Sequence, residues 1–169
     1  MQVTDEYSVA YTIVGEEEVS GSKMCKILAS ACPKTIVDDF RKLFGMLGVT
    51  LKSFSASCSC IARVVLADNK NRDKMPLLVI QIDDNFLNIS LFEQNQLAFS
   101  RHVSIDKDDY EGEDYLTQAL NDNVFRMIQF NRSRGGSGIK DIIFYGDVQD
   151  YIKLTMAIEQ QDVKTHILA

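Results

Sequence analysis

Leu77 to Ile82 reads LLVIQI, an almost unbroken apolar run in which the alternation of a half-exposed strand is missing. Such a run belongs to a strand covered on both faces, so the chain must supply layers on either side of a sheet. The segments that follow extend that sheet. Leu87 to Phe92 and Leu97 to Ile105 are rich in apolar, β-branched and aromatic residues and are separated by the polar turn Glu93-Gln94-Asn95-Gln96, a β-meander. Leu116, Ala119, Leu120, Val124, Met127 and Ile128 then recur at helical spacing, which predicts an amphipathic helix packed on the sheet. Arg132 to Gly138 (RSRGGSG) reads as a loop, Ile142 to Tyr145 as a short buried strand ending at Gly146, Val148 to Gln160 as a helix and Val163 to Ala169 as a last strand. A chain stopping on that strand reads as an excised piece.

Upstream, Tyr7 to Val14 and Met24 to Ala31 predict two adjacent strands with Gly15 to Ser22 as a polar connector. Pro33 suits the first turn of a helix, Ile36, Val37, Phe40, Leu43, Phe44 and Leu47 give its apolar spacing, and Gly48 is its C-terminal cap. Val49 to Ser55 predicts a further strand. Cys58 to Leu66 fits a short helix or a strand, with helix favoured. The uniformly polar Asp68 to Lys74, followed by Met75-Pro76, predicts a linker between two structural units, residues 1–67 and 75–169.

Composition narrows the function classes. In 169 residues, 46% are hydrophobic, 25% are charged and two are proline, the make-up of a globular mixed α/β (α+β) chain. A net charge of −6 with no basic run argues against nucleic acid as a partner, because phosphate-backbone binding needs clustered Lys and Arg. No apolar stretch approaches a membrane span and the N-terminus lacks signal-peptide order, so a cytoplasmic chain without direct membrane insertion is expected. Cys25, Cys32, Cys58 and Cys60 lie in apolar segments without zinc-site spacing, which predicts reduced thiols serving as small core residues.

No residue stands out as catalytic or metal-ligating. His102 and His166 lack convergent partners and read as surface or sheet-edge residues. RSRGGSG follows a helix and precedes a strand, the reverse of a phosphate-binding P-loop, and reads as a solvated connector. Asp83-Asp84-Asn85 places two carboxylates and an amide at a strand-to-strand turn, where such side chains favour turn geometry for local reasons.

The order of these elements, with the strand Leu97-Ala98-Phe99-Ser100-Arg101 and the step Leu47-Gly48-Val49, resembles the PilM family of type IV pilus assembly proteins, actin-like ATPases related to FtsA. The resemblance implies an inserted small subdomain of strands and helix followed by half of an actin-like, ribonuclease-H-like mixed sheet. It makes Leu77 to Ile105 the second phosphate hairpin and Ile142 to Leu154 the adenosine loop. The family's Asp, Gly and Ser/Thr are replaced here by Gln81, Asp83 and Leu87, and its paired glycines by Gly146-Asp147. Gln81 lacks the metal-directed charge, and Asp83 adds a carboxylate where a phosphate would approach. A degenerate nucleotide site at Gln81, Asp83, Asp84, Asn85, Gly146 and Asp147 follows from the resemblance.

ATP and magnesium are cofactors that the resemblance assigns to a complete parent protein, whose first phosphate loop is not among these residues. For this chain it implies a non-catalytic scaffold, peripheral to the inner membrane, in a pilus or a type II secretion-like machine. Its partner would be the cytoplasmic tail of a PilN-type membrane protein, contacted around Tyr7, Phe40, Phe44 and the edge of Tyr7 to Val14. Two alternatives remain open: a nucleotide-binding actin-like ATPase, and an FtsA-like filament former that self-associates.

Overall fold

The computed structural model describes residues 5–146, 151–159 and 162–168. Contacts divide the chain into two units between Ile61 and Ala62.

In the first unit, β1 (Tyr7–Val19) and β2 (Ser22–Pro33) form an antiparallel hairpin. The expected connector Gly15 to Ser22 is instead mostly strand. Ser20 and Gly21 both take positive φ, 53° and 79°, a two-residue turn whose twist matches the strands and lets pairing run to the tip at Val19 and Ser22. Glu18 lies opposite Lys23 there, a polar pairing suited to a solvent-exposed ribbon.

Helix α1 (Lys34–Met46) begins directly after β2, with Pro33 as its N-cap residue rather than within its first turn. Gly48, at φ 69°, ends it: Gly48 N–H donates to Gly45 O at 3.0 Å and Val49 N–H to Phe44 O at 2.9 Å, the paired bonds of a Schellman motif. Val49 to Ser55, expected as a strand, joins no sheet. Residues 50–54 make no backbone hydrogen bond among the described residues, and β propensity without a neighbouring ladder does not make a strand.

Helix α2 (Ser57–Ala67) realises the helical alternative for the segment around Cys58 to Leu66. The polar stretch after it is structured: Asn69–Lys74 forms a 3-10 helix capped by Asp68, and Asn71 is buried with Nδ2 donating to Val65 O at 3.0 Å. The cysteines are free but are not core residues, since Cys25 and Cys60 are exposed and Cys32 and Cys58 half-buried. The first unit offers little interior to hold them. Among its described residues, Val37 and Ile61 are the buried apolar side chains.

The second unit is a mixed five-stranded sheet in the order β5-β4-β3-β6-β7. β3 (Leu77–Asp83), β4 (Phe86–Glu93) and β5 (Gln96–Ser104) form the antiparallel meander, and β6 (Asp141–Gly146) pairs parallel with β3 and with β7 (Lys164–Ile167). Leu77, Leu78, Val79, Ile80 and Ile82 are at most 1% exposed, so β3 is covered on both faces as its sequence requires. Burial stabilises by about 1.5–3 kcal/mol for each such side chain, which makes β3 the keel of the unit. On one face, Leu78, Ile80, Ile82, Ile89 and Phe144 pack with Leu120 and Val124 of α3 (Tyr115–Ser133) and Leu154 and Ile158 of α4 (Tyr151–Glu159). The β4–β5 turn is tight: Gln94 and Asn95 take φ 50° and 61°.

Candidate functional site

The β3–β4 turn brings Asp83, Asp84 and Asn85 to one end of the sheet, and the register Ile82 to Gly146 places the end of β6 beside it. A phosphate-binding hairpin works by offering free backbone N–H groups. Here the Asp84 N–H donates to Asp83 Oδ1 at 2.8 Å, so a carboxylate occupies the amide that an anion would need. The Asn85 carbonyl accepts from Ile105 N–H at 2.8 Å and ties the turn to the end of β5.

Gln81 is likewise committed. Its Oε1 accepts from Asn88 Nδ2 at 2.8 Å and lies 3.5 Å from the Tyr145 hydroxyl, while His102 Nδ1 donates to Asn88 Oδ1 at 2.8 Å. Tyr145, Gln81, Asn88 and His102 are direct cross-strand neighbours, forming one polar row across four strands. The row satisfies half-buried polar groups within the sheet. Leu87, in the position where a hydroxyl would be expected, is wholly buried in the core cluster.

Gly146 has a local reason to be glycine. Its φ is 125°, and a Cβ there would lie 2.1 Å from the Ile82 carbonyl oxygen, so close strand packing alone demands it. The Tyr151 hydroxyl donates to Gly146 O at 2.8 Å. Asp147 lies outside the described residues, as does the start of the helix expected from Val148.

The loop after α3 is organised by Asn131, which is wholly buried. Its Nδ2 donates to Glu93 Oε1 at 2.6 Å, its Oδ1 accepts from Gly138 N–H at 3.0 Å, and its backbone carbonyl accepts from Gly136 N–H at 2.9 Å. The glycines thus fold around a helix end. His102 and His166 sit on the edge strands β5 and β7, and His166 Nε2 donates to Asp141 Oδ1 at 2.8 Å. Among the described residues no group of three or more His, Cys, Asp or Glu side chains converges as a metal site, and no helix is long and apolar enough to cross a membrane.

The first unit holds a groove of 440 Å³ among the hairpin base, α1 and the segment after α1 that joins no sheet. Its lining includes Val9, Val37, Leu51 and Phe54, with Arg41 and Lys52 contributing cations. Tyr7, Phe40 and Phe44 do not line it. Tyr7 starts β1 opposite Pro33, Phe44 is half-buried on α1, and the ring of Phe40 lies 5.3 Å from that of Phe54, beside the groove. Arg41 and Lys52 were not singled out by the sequence, because they converge only through the turn at Gly48.

No model of a known protein family matches the chain, and no curated protein matches it either. Solved structures do. A chain of a PilM-PilN type IV pilus biogenesis complex aligns with a TM-score of 0.74 at 10% identity, covering 99% of this chain and 58% of that one. A Bacteroides thetaiotaomicron protein with actin-like ATPase fold and unknown function aligns with a TM-score of 0.58 at 11% identity, covering 99% and 56%. The expected likeness to PilM is therefore present in the backbone, where sequence identity is low. The chain has an actin-like ATPase fold of the PilM type and spans a little over half the length of the structures it matches.

Proposed function

We propose that the chain is a non-catalytic scaffold in type IV pilus or type II secretion-like assembly. It works at the cytoplasmic face of the inner membrane and binds the cytoplasmic tail of a PilN-type membrane protein. The observation that carries this reading is the match over 99% of the chain to a structure of a PilM-PilN complex. The state of the hairpin supports the non-catalytic part: the Asp84 amide is filled by Asp83, and Gln81 is held by Asn88. One fold hosts many functions, so the assignment rests on these site features together with the likeness.

The test is calorimetric titration of the full-length protein with the tail peptide of the single-span membrane protein encoded beside it. Saturable binding that is insensitive to Mg-ATP is expected. Absence of binding sinks the scaffold reading, and binding that appears only with Mg-ATP replaces it with the nucleotide-driven alternative.

A further inference from the structure

The first unit leaves its apolar side chains largely uncovered: Val9, Tyr11, Ile13, Ile27, Phe40 and Phe54 are 41–71% exposed. Exposure alone names no occupant. The groove does, through three features that coincide.

Its apolar floor is formed by residues such as Val9, Val37, Leu51 and Phe54, and its volume of 440 Å³ falls within the roughly 300–1,000 Å³ of ligand clefts. Arg41 and Lys52 line it with no carboxylate among the lining residues, against a chain whose net charge is −6. Arg41 donates to Asp38 at 3.2 Å, an exposed pair of little worth that leaves other guanidinium N–H groups to donate; Lys52 forms no ion pair among the described residues. Finally, residues 50–54 run past the groove with no backbone hydrogen bonds among the described residues. An extended ligand can satisfy those groups by pairing as an added strand, with alternate side chains directed to opposite faces.

We propose that this groove binds an extended peptide segment in which apolar residues alternate with Asp or Glu, paired along residues 50–54. The apolar residues fill the floor and the carboxylates meet Arg41 and Lys52. The inference deepens the scaffold reading by naming the chemistry of the partner segment, and rests on that reading only for the segment's biological source.

The experiment is an NMR titration of the 15N-labelled chain with two blocked hexapeptides, one alternating valine with glutamate and one alternating valine with lysine. The glutamate peptide is expected to bind saturably, move the amides of residues 30–32 and 50–54, and weaken about tenfold in an R41E/K52E variant, by the loss of two charge contacts. Because both positions are exposed, the variant's own spectrum should retain the wild-type dispersion; raising the salt concentration should weaken binding in the same direction. Equal binding of the lysine peptide, shifts lying outside the groove, or saturation by neither peptide overturns the inference. If the natural tail binds but is indifferent to R41E/K52E, this inference falls and the scaffold reading stands. If the glutamate peptide binds and the tail does not, the reverse holds.

Discussion

Asn131 and Glu93 meet at 2.6 Å, the amide of a wholly buried asparagine at the end of α3 donating to a carboxylate at the end of β4. The contact closes the helix onto the sheet and gives the glycine-rich loop its shape, because the same side chain also holds Gly138.

Replacing Asn131 with alanine removes the donor from Glu93 and the acceptor from Gly138 together. Leaving such partners unsatisfied costs about 1–3 kcal/mol per group when they are buried; Glu93 and Gly138 are half-buried, so a loss in the lower part of the summed range, about 2–4 kcal/mol, is expected in urea unfolding. Ser137→Ala, at an exposed loop position, should change stability by less than about 0.5 kcal/mol.

Two neighbouring glycines should respond differently to alanine. At Gly136 a Cβ would fall 2.2 Å from Asn131 Nδ2, whereas at Gly135 it meets open space but inherits φ 78°. Gly135→Ala should cost about 1–2 kcal/mol, the left-handed penalty alone, and Gly136→Ala more, because a buried hydrogen-bonded side chain must move. Midpoints of chemical unfolding at matched concentration give the comparison.

Gly146→Ala should destabilise the second unit by more than about 2 kcal/mol, since backbone cannot yield to a Cβ placed 2.1 Å from Ile82 O. A ligand-binding defect in that variant therefore says nothing about nucleotide contact unless folding is checked by circular dichroism. Asp83 is the better probe of the hairpin. With wild-type protein, millimolar Mg-ATP should leave the amide resonances of residues 83–86 unmoved, because the Asp84 N–H is already engaged.

The fold of the second unit was legible because each segment carried one clear pattern. LLVIQI has no polar face to expose, and Leu116 to Ile128 has no strand alternation. The first unit was less legible. The hairpin tip depends on Ser20 and Gly21 adopting positive φ, which the acidic Glu16 to Glu18 obscured, and Val49 to Ser55 has strand composition but no ladder to join. The turn residues Asp83 to Asn85 could be singled out as a local cluster. The groove could not, since Val9, Arg41 and Lys52 come from segments far apart in sequence.

The thiols offer a direct check on how open the first unit is. Under native conditions iodoacetamide should modify Cys25 and Cys60 before Cys32 and Cys58, as read by peptide mass mapping, following their exposure. Faster reaction at Cys32 than at Cys25 would contradict that order of exposure.

The tight turn at Gln94 and Asn95 also orders events in time. β4 and β5 are joined by those two residues, so their ladder can close within microseconds once the chain is released, as hairpins do. β3 adds to that ribbon through another short turn, but its parallel partner β6 arrives only after α3 has been made. The meander should therefore be the kinetic seed of the second unit, and docking of β6, with its large loop-closure entropy, the slow step. Until that step is complete, one flank of β3, the most apolar strand in the molecule, waits unpaired.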